Sequence, residues 1–236
     1  MAQVQRKVQP KRKVNWFAIW ISVGVVVALV VIGGVVVFAN NAANGPGTAP
    51  QASNINADTG AITVGTGPKT LDTYIDFQCP ICNNFEQTYG SSIQGWVTDG
   101  TITLNIHPIS ILNRQSNGTN YSTRAASAMY CVAAADPNAV LPFLQAMYAQ
   151  QPQEGSNGLT DDQIVSIATG AGVTNATDCI KAGTYKTYVD AQTKKTPIQP
   201  GQSSIATPTI VVNGTTLSNQ TDLTGKPADL LAKLQS

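Results

Sequence analysis

The chain has 236 residues and a formal net charge of +1, from 14 lysines and arginines against 13 acidic residues. Five of the basic residues precede residue 16 and all of the acidic ones follow it, so the later part holds nine basic against 13 acidic residues and a net charge of −4. Nucleic-acid binding requires a basic face, and this distribution argues against it.

The N-terminus combines a basic tail at 1–15 with a run of 24 uncharged residues at 16–39. As an α-helix that run would span about 36 Å, enough for a hydrocarbon core of about 30 Å. It is longer than the apolar region of a signal peptide, although cleavage near 39–43 remains an alternative. Because a positive flank stays in the cytoplasm, we expect a cytoplasmic tail, a transmembrane signal-anchor at 16–39 and an extracytoplasmic remainder, held at the cell membrane by a single pass.

Residues 40–60 are small and polar and are interrupted by Gly and Pro, which predicts a flexible linker. About 175 residues remain after it, enough for one domain with a sizeable core. Four cysteines outside the cytoplasm fit an oxidising compartment.

The most informative motif is Cys79-Pro80-Ile81-Cys82, which follows a predicted strand at 69–77 and begins a predicted amphipathic helix. Pro80 suits the first turn of a helix, because its missing N–H would be unpaired there in any case. Free N–H groups and the helix dipole at this terminus stabilise a thiolate, the reactive species in disulfide exchange. The motif therefore predicts thiol–disulfide redox chemistry.

The two cysteines of the motif have different predicted roles. Cys79 lies nearer to solvent and to the helix start, so we expect it to be the attacking thiol, with Cys82 as the buried resolving thiol. A helix terminus contributes about 0.3–1 kcal/mol, or up to about 2 when partly buried, which would lower the pKa of Cys79 to about 7. Two alternatives are a structural disulfide and half of a zinc site. No metal is expected, because a second close cysteine pair is missing and His107 is the only histidine.

Pairing within that motif leaves Cys131 and Cys179 as the second pair. Such a bridge would close a loop of about 49 residues and contribute ~4 kcal/mol in the chain-entropy model. We expect a structural disulfide; a second redox pair or two free buried thiols are the alternatives.

The remaining elements alternate between strands and helices. A strand at 101–107 completes a βαβ order, which normally forms a right-handed parallel crossover. The β structure resumes around an Asn213-Gly214 turn, a strong hairpin signal. Helices are predicted at 80–97, 120–134, from 136 past 147, from 160 to about 170, at 174–193 and at 225–234. The pattern predicts an α/β domain with a four- or five-stranded mixed sheet.

The chain resembles the DsbA-like branch of the thioredoxin superfamily, in particular the membrane-anchored proteins of Gram-positive bacteria and actinobacteria. The resemblance covers roughly 61–236 and rests on Asp76-Phe-Gln-Cys-Pro-Ile-Cys82 together with Thr207-Pro-Thr-Ile-Val-Val-Asn-Gly214. It implies a thioredoxin fold with an inserted helical domain, preceded by one N-terminal transmembrane helix. Its parts would be an N-terminal part at 61–112, the helical insert at 113–196 and a C-terminal part at 197–236.

The resemblance also implies a substrate-binding element beside the cysteine pair. Thr207–Pro208 would be a cis peptide, with the backbone of Thr207 free to pair with an extended substrate chain. From the residues alone, an ordinary trans proline at a strand start would be expected.

Two departures from the family bear on mechanism. Strong oxidants of the family often have Pro-His between the cysteines, whereas this chain has Pro80-Ile81, so we expect a milder oxidant. Many relatives carry a buried acid six residues before the first cysteine, where this chain has Thr73. Asp76 is a candidate proton carrier only if its side chain turns toward Cys82; a structural or solvated acid is the alternative. His107 is expected to be a packed or surface residue.

The resemblance implies a thiol–disulfide oxidoreductase that introduces disulfide bonds into unfolded or reduced exported proteins and needs no cofactor. It further implies a membrane reoxidase, similar to DsbB or to a vitamin K epoxide reductase-like protein. A reductase or isomerase on the same fold is one alternative, because direction depends on the redox potential. A binding or chaperone module with a purely structural disulfide is another.

Overall fold

The computed structural model describes residues 16–44 and 47–236, which divide after Asn44 into two compact units. The first described element is α1 (Trp16–Asn44), which continues beyond the predicted apolar run. Within the residues that the structure describes, no helix is long and apolar enough to cross a membrane. The anchor at 16–39 therefore stays a prediction, and the basic tail at 1–15 lies outside the described residues.

The second unit is built around a five-stranded sheet in the order β1-β3-β2-β4-β5. Its strands are β1 (Ile62–Val64), β2 (Lys69–Ile75), β3 (Ile102–Pro108), β4 (Thr209–Val212) and β5 (Thr215–Thr216). Strands β2 and β3, which the first helix of the domain connects, pair in parallel, as the βαβ order predicted. The other three pairings are antiparallel. The mixed sheet with β2 at its centre is confirmed.

The described domain also has seven α-helices: α2 (Pro80–Thr98), α3 (Tyr121–Ala135), α4 (Val140–Ala149), α5 (Asp161–Gly170), α6 (Thr177–Ala182), α7 (Lys186–Thr193) and α8 (Pro227–Gln235). The buried residues of α2 are Cys82, Phe85, Tyr89 and Ile93, whose spacing of three or four places them on one face. This face packs into the core and fixes the direction of the helix that carries the cysteines.

Five of these helices, α3 to α7, form the insert between β3 and β4. The capping box predicted at Thr160 is present, with hydrogen bonds in both directions between Thr160 and Gln163. The single helix predicted at 174–193 is wrong, because the chain forms α6 and α7 with a break between them. Gly183 caps α6 with a φ of 61°, and a left-handed residue at that position ends a helix.

The flexible linker predicted at 40–60 is also wrong. Residues up to Asn44 belong to α1, and the chain from Gly47 onward packs on the domain. The hydroxyl of Tyr188 donates to the carbonyl of Ala57 at 2.8 Å, and that of Tyr130 donates to Gly60 at 2.7 Å. The backbone carbonyls of the segment accept hydrogen bonds from buried tyrosines of the insert. The composition of the segment does not reveal these contacts.

The second cysteine pair forms the expected disulfide. Cys131 on α3 and Cys179 on α6 are bonded, with their Cα atoms 5.8 Å apart. The bridge ties two helices of the insert together, far along the sequence from the Cys79–Cys82 motif.

Candidate active site

Cys79 and Cys82 lie at the start of α2, where the motif predicted them. Cys79 is the N-cap, with extended backbone angles, and Pro80 is the first helical residue. Both cysteines are free, and their exposed fractions are 5% for Cys79 and 0% for Cys82. Cys79 is thus the one that a substrate can approach, although it is more enclosed than its place at the helix start suggested.

The environment of Cys79 favours its thiolate. Its pKa is lowered from 9.0 to about 6, first by a hydrogen bond from the side chain of Cys82, then by Thr207 and by the N–H groups of Cys82 and Ile81, while burial acts in the opposite direction. This pKa lies below the value of about 7 expected from the helix terminus alone. The difference arises because side-chain donors add to the backbone N–H groups.

Cys82 has the opposite preference. Burial raises its pKa well above 9.0, and the neighbouring charge on Cys79 raises it further. Cys79 is therefore the thiolate of the reduced pair while Cys82 remains a thiol.

Thr207 and Pro208 lie against this pair. The Thr207–Pro208 peptide is cis, as the family resemblance implied, and the carbonyl oxygen of Thr207 is 3.6 Å from Cys79 Sγ. The Thr207 hydroxyl is buried and has no hydrogen-bond partner among the described residues, which leaves it free to donate to the Cys79 thiolate. Two amides hold the carbonyl of Pro208: Gln199 Nε2 donates to it at 2.9 Å and Asn219 Nδ2 at 2.6 Å.

Gln151, in the loop after α4, braces the cysteine turn from the other side. Its Nε2 donates to the carbonyls of Cys79, at 2.9 Å, and Phe77, at 3.1 Å. Its Oε1 accepts from Asn83 Nδ2 at 3.0 Å. Sequence patterns did not indicate Gln151, Gln199 or Asn219, because nothing local marks an amide that contacts a distant turn.

Asp76 has a structural set of contacts. Its side chain is fully buried, and its carboxylate accepts hydrogen bonds from the backbone N–H groups of Gln78 and Leu112, each at 2.9 Å. Burial raises its pKa, and these hydrogen bonds partly offset that effect. The carboxylate joins the cysteine loop to the loop after β3, which favours the structural alternative over the proton carrier.

His107 is packed away from the cysteines, as expected. Its Nε2 lies 3.0 Å from Asp72 Oδ1 and its ring stacks on Tyr74, with the two ring centroids 4.0 Å apart. The side chain is buried in the sheet and takes no part in the site.

An apolar groove runs beside the cysteine pair. It lies between the first turns of α2 and the chain before α8, and its lining includes Ile81, Phe85, Tyr89, Pro208 and Leu223. Ile81 is 63% exposed, the large apolar side chain of the motif that faces solvent. The groove therefore offers an apolar surface next to Cys79.

Comparison with known proteins agrees with this geometry. A family model described as thioredoxin matches residues 61–225. The chain belongs to the thioredoxin family. Oxidised DsbA of Mycobacterium tuberculosis is 32% identical, with a TM-score of 0.64 over 74% of this chain and 91% of that one. The reduced disulfide oxidoreductase DsbG of the same organism is 30% identical, with a TM-score of 0.62 over 83% and 89% of the two chains.

These similarities place the chain in the DsbA-like branch of that family. A curated relative, the serine/threonine-protein kinase PknE of Mycobacterium tuberculosis, is 37% identical over 134 residues, which are 55% of this chain and 23% of the kinase. The chain thus spans less than a quarter of the length of the curated relatives it matches.

Proposed function

We propose that this DsbA-like protein is an oxidant, which transfers the Cys79–Cys82 disulfide to reduced exported proteins. The observation that carries the proposal is the lowered pKa of Cys79, about 6. A stabilised thiolate favours the reduced form of the pair, which makes its disulfide easier to transfer.

The expected potential lies between those of two reference proteins. Thioredoxin has a cysteine pKa of about 7 and a potential of about −270 mV, and DsbA has about 3.5 and −120 mV. The Cys79 pKa of about 6 lies between these two, so we expect a potential between theirs. Structural disulfides of secreted proteins lie below about −300 mV, so transfer to them would be favourable. The direction is that of an oxidant milder than DsbA.

The reaction would proceed by two thiol–disulfide exchanges. A substrate thiolate attacks Cys79 Sγ in the oxidised pair. The attack forms a mixed disulfide and releases the sulfur of Cys82, and this sulfur takes up a proton. A second substrate thiolate then attacks the substrate sulfur of the mixed disulfide and releases Cys79 as a thiolate. The substrate dithiol is oxidised, and the enzyme pair is reduced by the same two electrons.

The groove beside Pro208 would hold the substrate chain during this reaction. Its apolar lining at Ile81, Phe85 and Leu223 suits side chains that are exposed only in an unfolded protein. The Thr207 backbone would pair with the extended chain beside the reacting sulfur.

The proposed location is the outer face of the cell membrane. The Cys131–Cys179 disulfide supports an oxidising compartment. The single-pass anchor at 16–39 is proposed from the sequence alone, from its run of uncharged residues and the basic residues before it. A DsbB-like or vitamin K epoxide reductase-like membrane partner would reoxidise the pair.

The test is equilibration of the full chain with glutathione buffers, with the oxidised fraction counted by alkylation and mass. We expect a potential less negative than about −270 mV and transfer of the disulfide to a reduced two-cysteine peptide, with Cys79→Ser inactive as the control. A potential at or below about −270 mV would indicate the reductase alternative. A pair that exchanges with neither glutathione nor peptide would leave the binding-module alternative.

A further inference from the structure

A second groove lies beside α2, between this helix and α4. Its lining includes the polar side chains of Asn83, Glu86, Gln87, Gln94, Gln145 and Tyr148. It shares no lining residue with the apolar groove beside Pro208. The two grooves therefore border different faces of the helix that starts at Cys79.

The unusual member of this lining is Glu86. Among the described residues, no donor or cation forms a hydrogen bond or ion pair with its carboxylate. Burial alone raises its pKa from 4.5 to about 7. The side chain is half-buried and lines the groove, so its carboxylate can be reached from the groove while it lacks a partner within the described residues.

Space is left open over this carboxylate. Gly90 follows Glu86 by one helical turn, and a Cβ atom at that position would come within 3.0 Å of Glu86 Oε2. The absence of a side chain keeps one side of the carboxylate clear, on the same side that faces the groove. Gln87, Gln94 and Gln145 add neutral amides to the same groove, where Gln145 Nε2 donates to Gln94 Oε1 at 3.0 Å.

We propose that this groove binds the cationic side chain of a lysine or arginine in the polypeptide substrate, with Glu86 as its counter-charge. A lysine or arginine side chain supplies the positive charge that is missing among the lining residues, and its N–H groups can donate to the carboxylate and amide oxygens there. The inference rests on the proposed function, since the substrate is the chain whose cysteine reacts with Cys79.

The groove is connected to the reacting sulfur through Asn83 and Gln151. Asn83 lines the groove and bonds to Gln151, which in turn holds the carbonyl of Cys79. Cys79 and Glu86 are seven residues apart along α2, or about 10 Å at 1.5 Å per residue. An extended chain advances about 3.3 Å per residue, so the basic residue should stand about three positions from the substrate cysteine.

Ionisation of Glu86 gives the interaction a pH dependence. The titratable group that lines the groove beside Glu86 is the hydroxyl of Tyr148 on α4, and burial raises its pKa. It does not change charge between pH 5.5 and 8. Glu86 itself becomes anionic over this range, so the preference for a cation should grow as the pH rises.

The test uses two single-cysteine peptides that differ at one position, three residues from the cysteine, where one has arginine and the other its neutral isostere citrulline. The rate of mixed-disulfide formation with the oxidised full chain is measured at pH 5.5 and 8. We expect arginine to react about tenfold faster at pH 8, which corresponds to about 1.4 kcal/mol, and the ratio to approach one at pH 5.5. Glu86→Gln should bring the ratio to about one at both pH values. The matched control is Glu154→Gln, at the chain's other glutamate, which is exposed and should keep the tenfold ratio.

Three results would overturn the inference. One is equal rates for the two peptides with the unaltered protein at pH 8. Another is a tenfold ratio that survives Glu86→Gln, including the case in which both rates fall together, which would indicate that Glu86 acts on the Cys82 proton instead. Failure of both peptides to react would contradict the proposed function itself.

Discussion

The hydrogen bond from Cys82 is the largest single cause of the lowered pKa of Cys79, and it can be removed without disturbing the helix. Cys82→Ala deletes the donor, whereas Cys82→Ser keeps a hydroxyl in nearly the same place. A hydrogen bond to a charged group contributes about 1.5–3 kcal/mol, which corresponds to about a 10–100-fold change in an ionisation constant. We therefore expect the alanine variant to ionise at Cys79 at least tenfold more weakly than the serine variant.

The measurement is the ultraviolet absorbance of the thiolate as a function of pH, checked by the rate of alkylation with iodoacetamide. Both variants retain one free cysteine, so the titration belongs to Cys79 alone and is free of coupling between two thiols. Cys79→Ser provides the background, because the pKa of Cys82 is raised well above 9.0.

The reasoning would be refuted if the serine and alanine variants titrated together. Equal titration near the unaltered midpoint of about 6 would assign the effect to the helix N–H groups and Thr207. Equal titration at a much higher pH would mean that a thiol, and not a donor in general, is required at position 82.

Three further predictions address stability and potential. The double substitution Cys131→Ala with Cys179→Ala should lower the free energy of unfolding by about 4 kcal/mol, since the bridge closes 48 residues of sequence; a loss below 1 kcal/mol in denaturant titration would contradict this. Ile81→His, at a 63% exposed position, should lower the pKa of Cys79 and make the potential less negative in glutathione equilibration, and an unchanged potential would argue against it. The pKa of Glu86 is raised by folding, so its contribution to stability is present below pH 4.5 and lost as the pH rises through about 7. The free energy of unfolding of the oxidised protein should then fall by about 3 kcal/mol as the pH rises across this range, and Glu86→Gln should remove the fall. A fall that persists in the variant would contradict the assignment.

Local sequence signals were sufficient for the elements that position the two cysteines. A β-rich segment, a proline at the first helical position and apolar residues on one face placed the strand, the turn and α2 within one or two residues of their observed bounds. The Asn213-Gly214 turn also forms as expected, between β4 and β5. These features are encoded by neighbouring residues, and that is why pattern reasoning finds them.

The features that sequence patterns missed depend on contacts between distant parts of the chain. Gln151 reaches Cys79 across 72 residues, and Tyr188 reaches Ala57 across 131. The segment at 47–60 was predicted to be flexible from its composition, whereas its order comes from donors supplied by the insert. The lower pKa of Cys79 is only partly of this kind: Thr207, one of its donors, lies 128 residues further along the chain, whereas the largest cause, the hydrogen bond from Cys82, lies within the motif.

The donors that stabilise the Cys79 thiolate are all neutral: a thiol, a hydroxyl and backbone N–H groups. Neutral donors at fixed positions in a buried site are little affected by dissolved salt, whereas a charged partner at an exposed position would be screened. The pKa of Cys79 is therefore set by local geometry, chiefly the turn of α2 and its contact with Thr207. The position that distinguishes this chain from strong oxidants of the family is the exposed Ile81, where an imidazolium would add the charge that the site lacks. With neutral donors alone, the site still stabilises the Cys79 thiolate. Without the imidazolium charge, its driving force for oxidation of a substrate is lower than that of the strong oxidants, and the proposed mild oxidant requires this combination.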